Sequence, residues 1–117
     1  MRIVKPTWLV HPGEKAESSI YSVHVSPDGS RLVTGAGDGY VRIWSTEAIY
    51  NVTNAKYEKP RQLASMSYHS GTIHTVRFSP GGKFLASGAD DRIVCIYNFE
   101  EGRPVQAGFG MYIAAAS

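Results

Sequence analysis

The chain has 117 residues and a mass of 12.8 kDa, which is room for one domain. It is 43% hydrophobic and 19% charged, so composition excludes full-length disorder. The net charge is +2 and the basic residues are mostly scattered singly, which gives no support to a nucleic-acid-binding face. The single cysteine, Cys95, excludes an internal disulfide and indicates a reducing compartment, the cytosol or the nucleus. No run reaches the roughly 20 apolar residues that a membrane span needs.

Three short strands are predicted in the first unit, residues 20–45. Apolar alternation begins a strand at residue 20, and Ser26-Pro27-Asp28-Gly29 then turns the chain, because proline and glycine suit the second and fourth turn positions. The second strand covers residues 31–34. Gly37-Asp38-Gly39 predicts a tight turn before the third strand, residues 40–44, since aspartate and glycine tolerate positive φ.

The same unit occurs a second time. Shifted by 53 residues, 20–45 lies over 73–98 without a gap, and 11 of the 26 positions are identical. Arg92 stands where the first unit has Gly39, so we expect this turn to differ in type. Between the units, residues 46–60 predict a loop with one helical turn near 47–50, and residues 61–66 predict a fourth strand. Four antiparallel strands per unit is the plan of a propeller blade.

The spacing of marker residues resembles the WD40 repeat family. Each unit has a histidine, a Ser-Pro-x-Gly turn, a Leu-x-Ser/Thr-Gly strand, an aspartate, and an aromatic residue six positions after that aspartate. The resemblance implies an all-β fold, namely two blades of an incomplete propeller of the seven-bladed type. It also implies one buried hydrogen-bonded tetrad in each unit: His11, Thr34, Asp38 and Trp44, then His69, Ser87, Asp91 and Tyr97.

In such a tetrad the aspartate accepts hydrogen bonds from the histidine ring and from turn amides. The histidine is expected to donate to the Ser/Thr hydroxyl, which reaches the indole N–H. The sequence departs from the family pattern at Tyr97, which stands for tryptophan and changes the reach of the polar tip. It also departs between His11 and Thr34, where the first unit has five more residues than the second.

The resemblance divides the chain into five segments. Residues 1–10 are expected to be an amino-terminal strand that closes the ring, and 11–45 the first WD repeat. Residues 46–60 are the inter-blade loop. Residues 61–98 hold an outer strand and the second WD repeat, and 99–117 form an atypical tail without a third His-to-Trp unit.

A narrower resemblance concerns the HIR family of histone regulators and histone chaperones. It rests on the opening residues MRIVKPTWLVH and on two later stretches, SMSYHSGTI at 65–73 and LASGADDRI at 85–93. It implies a nuclear WD-repeat subunit of a histone chaperone complex for replication-independent chromatin assembly and repression of histone gene transcription. The chain would then be a protein-binding platform whose partners are other HIR complex subunits and, through the complex, histones H3 and H4.

Other readings stay open beside this one. The chain could be another WD40 scaffold, such as a chromatin-assembly-factor subunit or a substrate receptor for ubiquitin ligation. It could also be a nonfunctional truncated product. The blade motifs are specific for the fold but give almost no information about function.

Catalysis and metal binding have little support in the sequence. His69, Ser87 and Asp91 are the elements of a hydrolytic triad, but they recur in both units at tetrad spacing and no nucleophile-elbow sequence is present. The four histidines, which include His24 and His74, are not joined by a carboxylate or cysteine cluster. We therefore expect no enzyme activity, no cofactor, no metal, no direct nucleic-acid site and no membrane contact.

Overall fold

Two antiparallel sheets make up the fold of this computed structural model, which describes residues 3–6, 8–12, 18–50, 62–100, 103–104 and 111–115. The first sheet has the order β1-β2-β3-β4. Its strands are β1 Ile20–Val25, β2 Arg31–Ala36, β3 Val41–Ser45 and β4 Gln62–Met66. A short helix, α1 Thr46–Tyr50, follows β3. The expected all-β fold is confirmed.

The second sheet repeats this arrangement. Its strands are β5 Ile73–Phe78, β6 Phe84–Ala89 and β7 Ile93–Glu100, and the short β8 Arg103–Pro104 pairs with the far end of β7. From the tail, β9 Met111–Ala115 pairs antiparallel with β7, in the place that β4 takes beside β3. Both sheets are therefore four-stranded meanders with one additional short pairing in the second.

The tight turns of the two units have the same backbone conformation. Gly39 has a φ of 79° and Arg92, its counterpart, has a φ of 65°. The expectation that Arg92 changes the turn is wrong, because the residue adopts the left-handed conformation that glycine adopts more readily. A Cβ at Gly39 would lie 3.0 Å from the His69 carbonyl oxygen, so glycine is needed there for space as well.

The core lies between the sheets. Its most completely buried members are Val33, Val41 and Ile43 from the first sheet and Ile73, Val76, Leu85 and Cys95 from the second. Gly35 lets the sheets approach, because a Cβ there would overlap the Ile73 Cγ2 methyl group. The absence of a side chain on β2 therefore makes room for β5.

Two hydrogen bonds join the inner strands of the sheets. The Ser22 hydroxyl accepts the Val76 N–H at 3.1 Å, and Nδ1 of His24 accepts the Phe78 N–H at 2.8 Å. These bonds satisfy two backbone donors of β5 that face β1. The sheets thus stand side by side as neighbouring blades, with β1 and β5 adjacent.

Several sequence expectations fall partly outside the described residues. Within the expected closing strand 1–10, the Leu9 N–H donates to the Pro6 carbonyl at 3.3 Å. His11, which directly follows this segment, forms an isolated bridge with Ser18. Its role in closing a ring stays a prediction. Residues 51–60 of the inter-blade loop, and 101–102, 105–110 and 116–117 of the tail, lie outside the described part. Within the described part, no helix is long and apolar enough to cross a membrane.

Candidate functional site

The first unit brings its four predicted tetrad residues into one hydrogen-bonded network. Nδ1 of His11 lies 3.1 Å from each carboxylate oxygen of Asp38, and Nε2 of His11 lies 2.6 Å from Oγ1 of Thr34. The indole Nε1–H of Trp44 donates to the same Oγ1 at 2.9 Å. His11, Thr34 and Trp44 are almost fully buried, so these bonds replace the solvation that the side chains lose.

Burial lowers the pKa of His11 more than the neighbouring Asp38 carboxylate raises it, which favours a neutral ring. In a neutral ring whose Nδ1–H donates to the Asp38 carboxylate, Nε2 accepts from the Thr34 hydroxyl, which itself accepts the Trp44 indole N–H. The direction of the bond between His11 and Thr34 depends on the ring tautomer, so the sequence expectation that histidine donates to the hydroxyl stays a prediction.

The second unit forms the matching network with a tyrosine. Nδ1 of His69 lies 3.2 and 3.0 Å from the two Asp91 oxygens, and Nε2 lies 2.7 Å from the Ser87 hydroxyl. The Tyr97 hydroxyl is 3.2 Å from Ser87 Oγ, so tyrosine also closes the network, with a longer bond than the 2.9 Å bond of Trp44. Burial raises the pKa of Tyr97, which keeps this hydroxyl protonated as a hydrogen-bonding group.

The two aspartates also hold the tight turns. Asp91 accepts the backbone N–H groups of Ser70 and Ile93, each at 3.0 Å. Desolvation raises the pKa of Asp91, but the bonds from Ser70, His69 and Ile93 outweigh it and leave the pKa below its ordinary value. Asp38 accepts the Tyr40 N–H at 3.0 Å in the same way. Each carboxylate thus ties the turn before the third strand to the histidine that precedes the first.

The tetrads are structural in their geometry. Their histidines and hydroxyls are buried and use their polar atoms on one another, so the network offers no reactive group to a substrate. Among the residues that the structure describes, no group of three or more histidine, cysteine, aspartate or glutamate side chains could hold a metal ion. The Cys95 thiol is buried too, and burial raises its pKa.

An exposed polar and aromatic cluster lies where the two sheets meet at one rim. Nε2 of His74 is 2.6 Å from Asp90 Oδ1, and the ring of Tyr21 lies 5.9 Å from the His74 ring. Tyr21 belongs to the first sheet, whereas His74 and Asp90 belong to the second. Sequence reasoning missed this cluster because nothing in the local pattern shows that β1 and β5 are neighbours.

Aromatic packing supports the first tetrad from outside. The ring of Trp8 lies 5.7 Å from that of Trp44, and Trp8 is 7% exposed. The amino-terminal segment therefore covers the tetrad face of the first sheet at Trp44. Trp8 is thus a buried packing residue of the first sheet.

Comparison with known proteins identifies the repeats and several relatives. The pattern of the family described as "WD domain, G-beta repeat" matches residues 7–45 and 60–98. "Protein HIR1" of Aspergillus oryzae is 68% identical over 108 residues, which are 92% of this chain and 10% of the relative. "Protein HIR1" of Gibberella zeae is 59% identical over 110 residues, 94% of this chain and 10% of the relative. These similarities confirm the HIR resemblance, and the chain spans about a tenth of the length of these relatives.

Solved structures share the fold at lower identity. The WD40 repeats of RRP9 superpose with a TM-score of 0.62 at 22% identity, covering 91% of this chain and 28% of that one. The β-propeller domain of Cps50 (Swd1) from Myceliophteria thermophila gives a TM-score of 0.58 at 20% identity, covering 79% of this chain and 25% of that one. These likenesses establish the blade architecture.

Proposed function

Because the chain belongs to the WD40 repeat family, we propose that it works by binding proteins, as part of a WD-repeat subunit of a histone chaperone complex. The complex would assemble chromatin independently of replication and repress histone gene transcription in the nucleus. The partners we propose are other HIR complex subunits and, through them, histones H3 and H4. No catalytic step is part of this proposal.

The observation that carries the proposal is the identity of 68% with a HIR1 protein over 108 residues. Two blades of this fold do not require such similarity, because other WD40 propellers superpose on the chain at 20% and 22% identity. The identity with the HIR1 relative is therefore well above what the shared blade architecture requires, which favours the role of that family over the roles of other WD40 proteins.

The geometry supports a binding role in a second way. The tetrads fix the turns of both units, so side chains at the rim stand on a scaffold that does not need to rearrange. Tyr21, His74 and Asp90 are exposed there and combine an aromatic ring with polar groups, a composition typical of protein interfaces.

The charge distribution favours indirect contact with chromatin. A net charge of +2 with scattered basic residues cannot neutralise many phosphates. Any contact with DNA would then come through protein partners or through other segments of the complex. This separates the proposed role from that of a DNA-binding subunit.

Affinity purification tests the proposal. The gene product that contains this chain is tagged, recovered from nuclear extract and compared with a form from which residues 1–98 are deleted. We expect the complete protein to bring down chaperone subunits with H3 and H4, and the deletion to lose them. Recovery of ubiquitin-ligase components without chaperone subunits or histones would make the family role wrong.

Two further comparisons test the role of this region as a binding platform separately from the proposed family role. If the complex survives deletion of residues 1–98, the platform role is wrong even when the family role is right. A gentler variant, Tyr21→Ala with His74→Ala, leaves the core residues in place and should weaken recovery if the rim binds partners. Lys83→Ala, an exposed change in the β5–β6 turn, is the matched control and should leave recovery unchanged.

A further inference from the structure

The two sheets leave a cleft between the turns that follow their first strands. The turn 26–29 comes after β1, and the turn 79–82 comes after β5. These turns touch, since a Cβ at Gly82 would lie 3.5 Å from Cδ of Pro27. An open cleft of about 270 Å³ lies beside this contact, and its charged lining residues are Asp28, Arg31 and Lys83. We call it the turn cleft.

The turn cleft belongs to the rim of the two sheets and not to their faces. Neighbouring blades of a propeller cover the faces of a sheet, whereas the turns between strands stand at its rims. β1 and β5 run in the same direction, since Ser22 binds Val76 and His24 binds Phe78. The turn cleft is therefore at the opposite end of these strands from the exposed cluster of Tyr21. Further blades would lie beyond the outer faces, which leaves the turn cleft open.

The same backbone hydrogen bonds hold both turns, and none of them involves a basic side chain. The Ser26 N–H donates to the Arg31 carbonyl and the Ser79 N–H donates to the Phe84 carbonyl, each at 2.8 Å. The hydroxyls of the two serines accept the N–H groups of Arg31 and Phe84, each at 3.0 Å. Phenylalanine thus takes in the second turn the place that arginine takes in the first. The turn itself therefore needs no guanidinium at this position.

The acidic group of the turn cleft is used by its own turn. Oδ1 of Asp28 accepts the Ser26 hydroxyl at 2.7 Å, and it accepts the Ser30 N–H and hydroxyl at 2.9 and 2.7 Å. The bonds from Ser26 and Ser30 lower the pKa of Asp28 to about 2, so its carboxylate is charged at neutral pH. Asp28 therefore fixes the first turn, and its bonds leave the basic side chains of the cleft to a ligand.

The two basic side chains come from different sheets, and neither has a carboxylate partner among the described residues. Nε of Arg31 is buried and has no hydrogen-bond acceptor in this part of the chain. A buried donor without an acceptor is costly, and native structures contain few of them. Lys83 is exposed, and its ammonium lies 5.6 Å from the centre of the Phe84 ring. The turn cleft is therefore bordered by two cations that lack an anion.

The chemistry of the turn cleft fits one carboxylate. Arg31 and Lys83 carry two positive charges and Asp28 carries one negative charge, which leaves one positive charge for a ligand to match. A guanidinium binds a carboxylate through two parallel N–H groups, and an ammonium is a donor only. Phe78 gives the cleft an apolar wall that suits the CH₂ groups of an acidic side chain. Small-molecule sites have about 300–1,000 Å³, so this smaller cleft suits a side chain better.

We propose that the turn cleft binds an acidic side chain from an extended segment of a partner protein. The carboxylate lies between the guanidinium of Arg31 and the ammonium of Lys83, and Phe78 packs against the aliphatic part. A Cβ at Gly81 would meet nothing within 4 Å among the described residues, so the backbone of the segment has room to approach there. This contact goes beyond the proposed function, and it uses the rim opposite to Tyr21, so either one can fail while the other holds.

Fluorescence polarisation with the gene product that contains this chain tests the proposal. The probe is a labelled peptide in which glutamate alternates with leucine, and its twin has glutamine in place of every glutamate. We expect the acidic peptide to bind at least about tenfold more tightly than its twin, because the cations of the cleft bind a carboxylate and not an amide. Its affinity should fall as the salt concentration rises. Equal binding of the two peptides overturns the proposal.

Substitutions show whether the acidic peptide occupies the turn cleft. Arg31→Gln and Lys83→Glu should each raise its dissociation constant at least about tenfold. Arg92→Gly is the matched control, since it removes one positive charge from an exposed turn at the opposite rim and introduces the residue type of its counterpart Gly39. It should leave the dissociation constant within about twofold. Unchanged binding to the Lys83→Glu protein overturns the proposal, because this exposed substitution leaves the core in place.

A third peptide distinguishes a carboxylate from a phosphate as the bound group. It has phosphoserine in place of each glutamate and is otherwise identical to the acidic probe. The negative charge of Asp28 opposes a doubly charged phosphate more strongly than a carboxylate, so we expect the phosphorylated peptide to bind no more tightly than the acidic one. Binding at least about tenfold tighter for the phosphorylated peptide would overturn the carboxylate assignment.

Discussion

At the scale of single residues, the two tetrads show why the same network tolerates different side chains. Trp44 and Tyr97 reach the same hydroxyl position from the third strand, at 2.9 and 3.2 Å. What the network requires is a polar tip at the end of an aromatic side chain and a buried carboxylate acceptor at the turn. The aspartates make more of the hydrogen bonds than the aromatic residues do, since each aspartate joins a histidine ring to turn amides.

Replacing either aspartate should therefore be costly. In a complete propeller that contains both units, we expect Asp38→Ala and Asp91→Ala each to lower the free energy of unfolding by about 1–3 kcal/mol, because buried donors lose their acceptor. Urea unfolding measures the change. Asp38→Asn is the matched control and should recover part of the loss through its amide oxygen. A loss for Asp38→Ala below about 0.5 kcal/mol would contradict a structural role for the tetrad.

At the scale of elements, the contact between the sheets depends on one missing side chain. Gly35 faces Ile73 and Val76, and the sheets can approach only because β2 has no Cβ at that point. The hydrogen bonds from β5 to Ser22 and His24 require the same closeness. If the two sheets moved apart, both the contact at Gly35 and these two hydrogen bonds would therefore be lost.

The glycine pair gives an internal comparison within the dilute 117-residue chain. Gly35→Ala should weaken the contact between the sheets by about 1–3 kcal/mol and move the broad thermal unfolding curve to lower temperature, because the added methyl group overpacks the contact with Ile73. Gly88→Ala should move the curve by less than half as much, since among the described residues its Cβ meets Thr75 Cγ2 at 3.2 Å and no backbone atom within 4 Å. Thermal unfolding of both variants at one low concentration measures the difference. Equal shifts would mean that Gly35 is not a point of close approach.

Sequence patterns predicted the strands and the tetrad residues because both are set by local spacing. The Ser-Pro-x-Gly turns and the alternation of β1 and β5 need no knowledge of the rest of the chain. The left-handed Arg92 could not be predicted, since pairing of β6 with β7 imposes the turn that the residue itself disfavours. The bridges from Ser22 and His24, and the pairing of β9 with β7, likewise depend on neighbours distant in sequence.

At the scale of the whole molecule, stability depends on what lies beside the two sheets. Each sheet has one face in the shared core and one face turned outward, where Val23 and Phe84 are exposed by 54% and 37%. A blade cannot bury both of its faces alone, and repeat proteins gain much of their stability from contacts between neighbouring repeats. A chain with two sheets has one contact between neighbouring sheets, whereas a closed ring has as many such contacts as it has sheets.

The dilute chain should therefore unfold without a cooperative transition. At low-micromolar concentration we expect a broad urea transition, because one interface between sheets leaves too little buried apolar surface to couple all the strands. Fluorescence of the buried Trp44 and amide spectra follow the unfolding. A monomer with a sharp transition and well-dispersed amide spectra would contradict this account, because it would show that two blades are a complete folding unit.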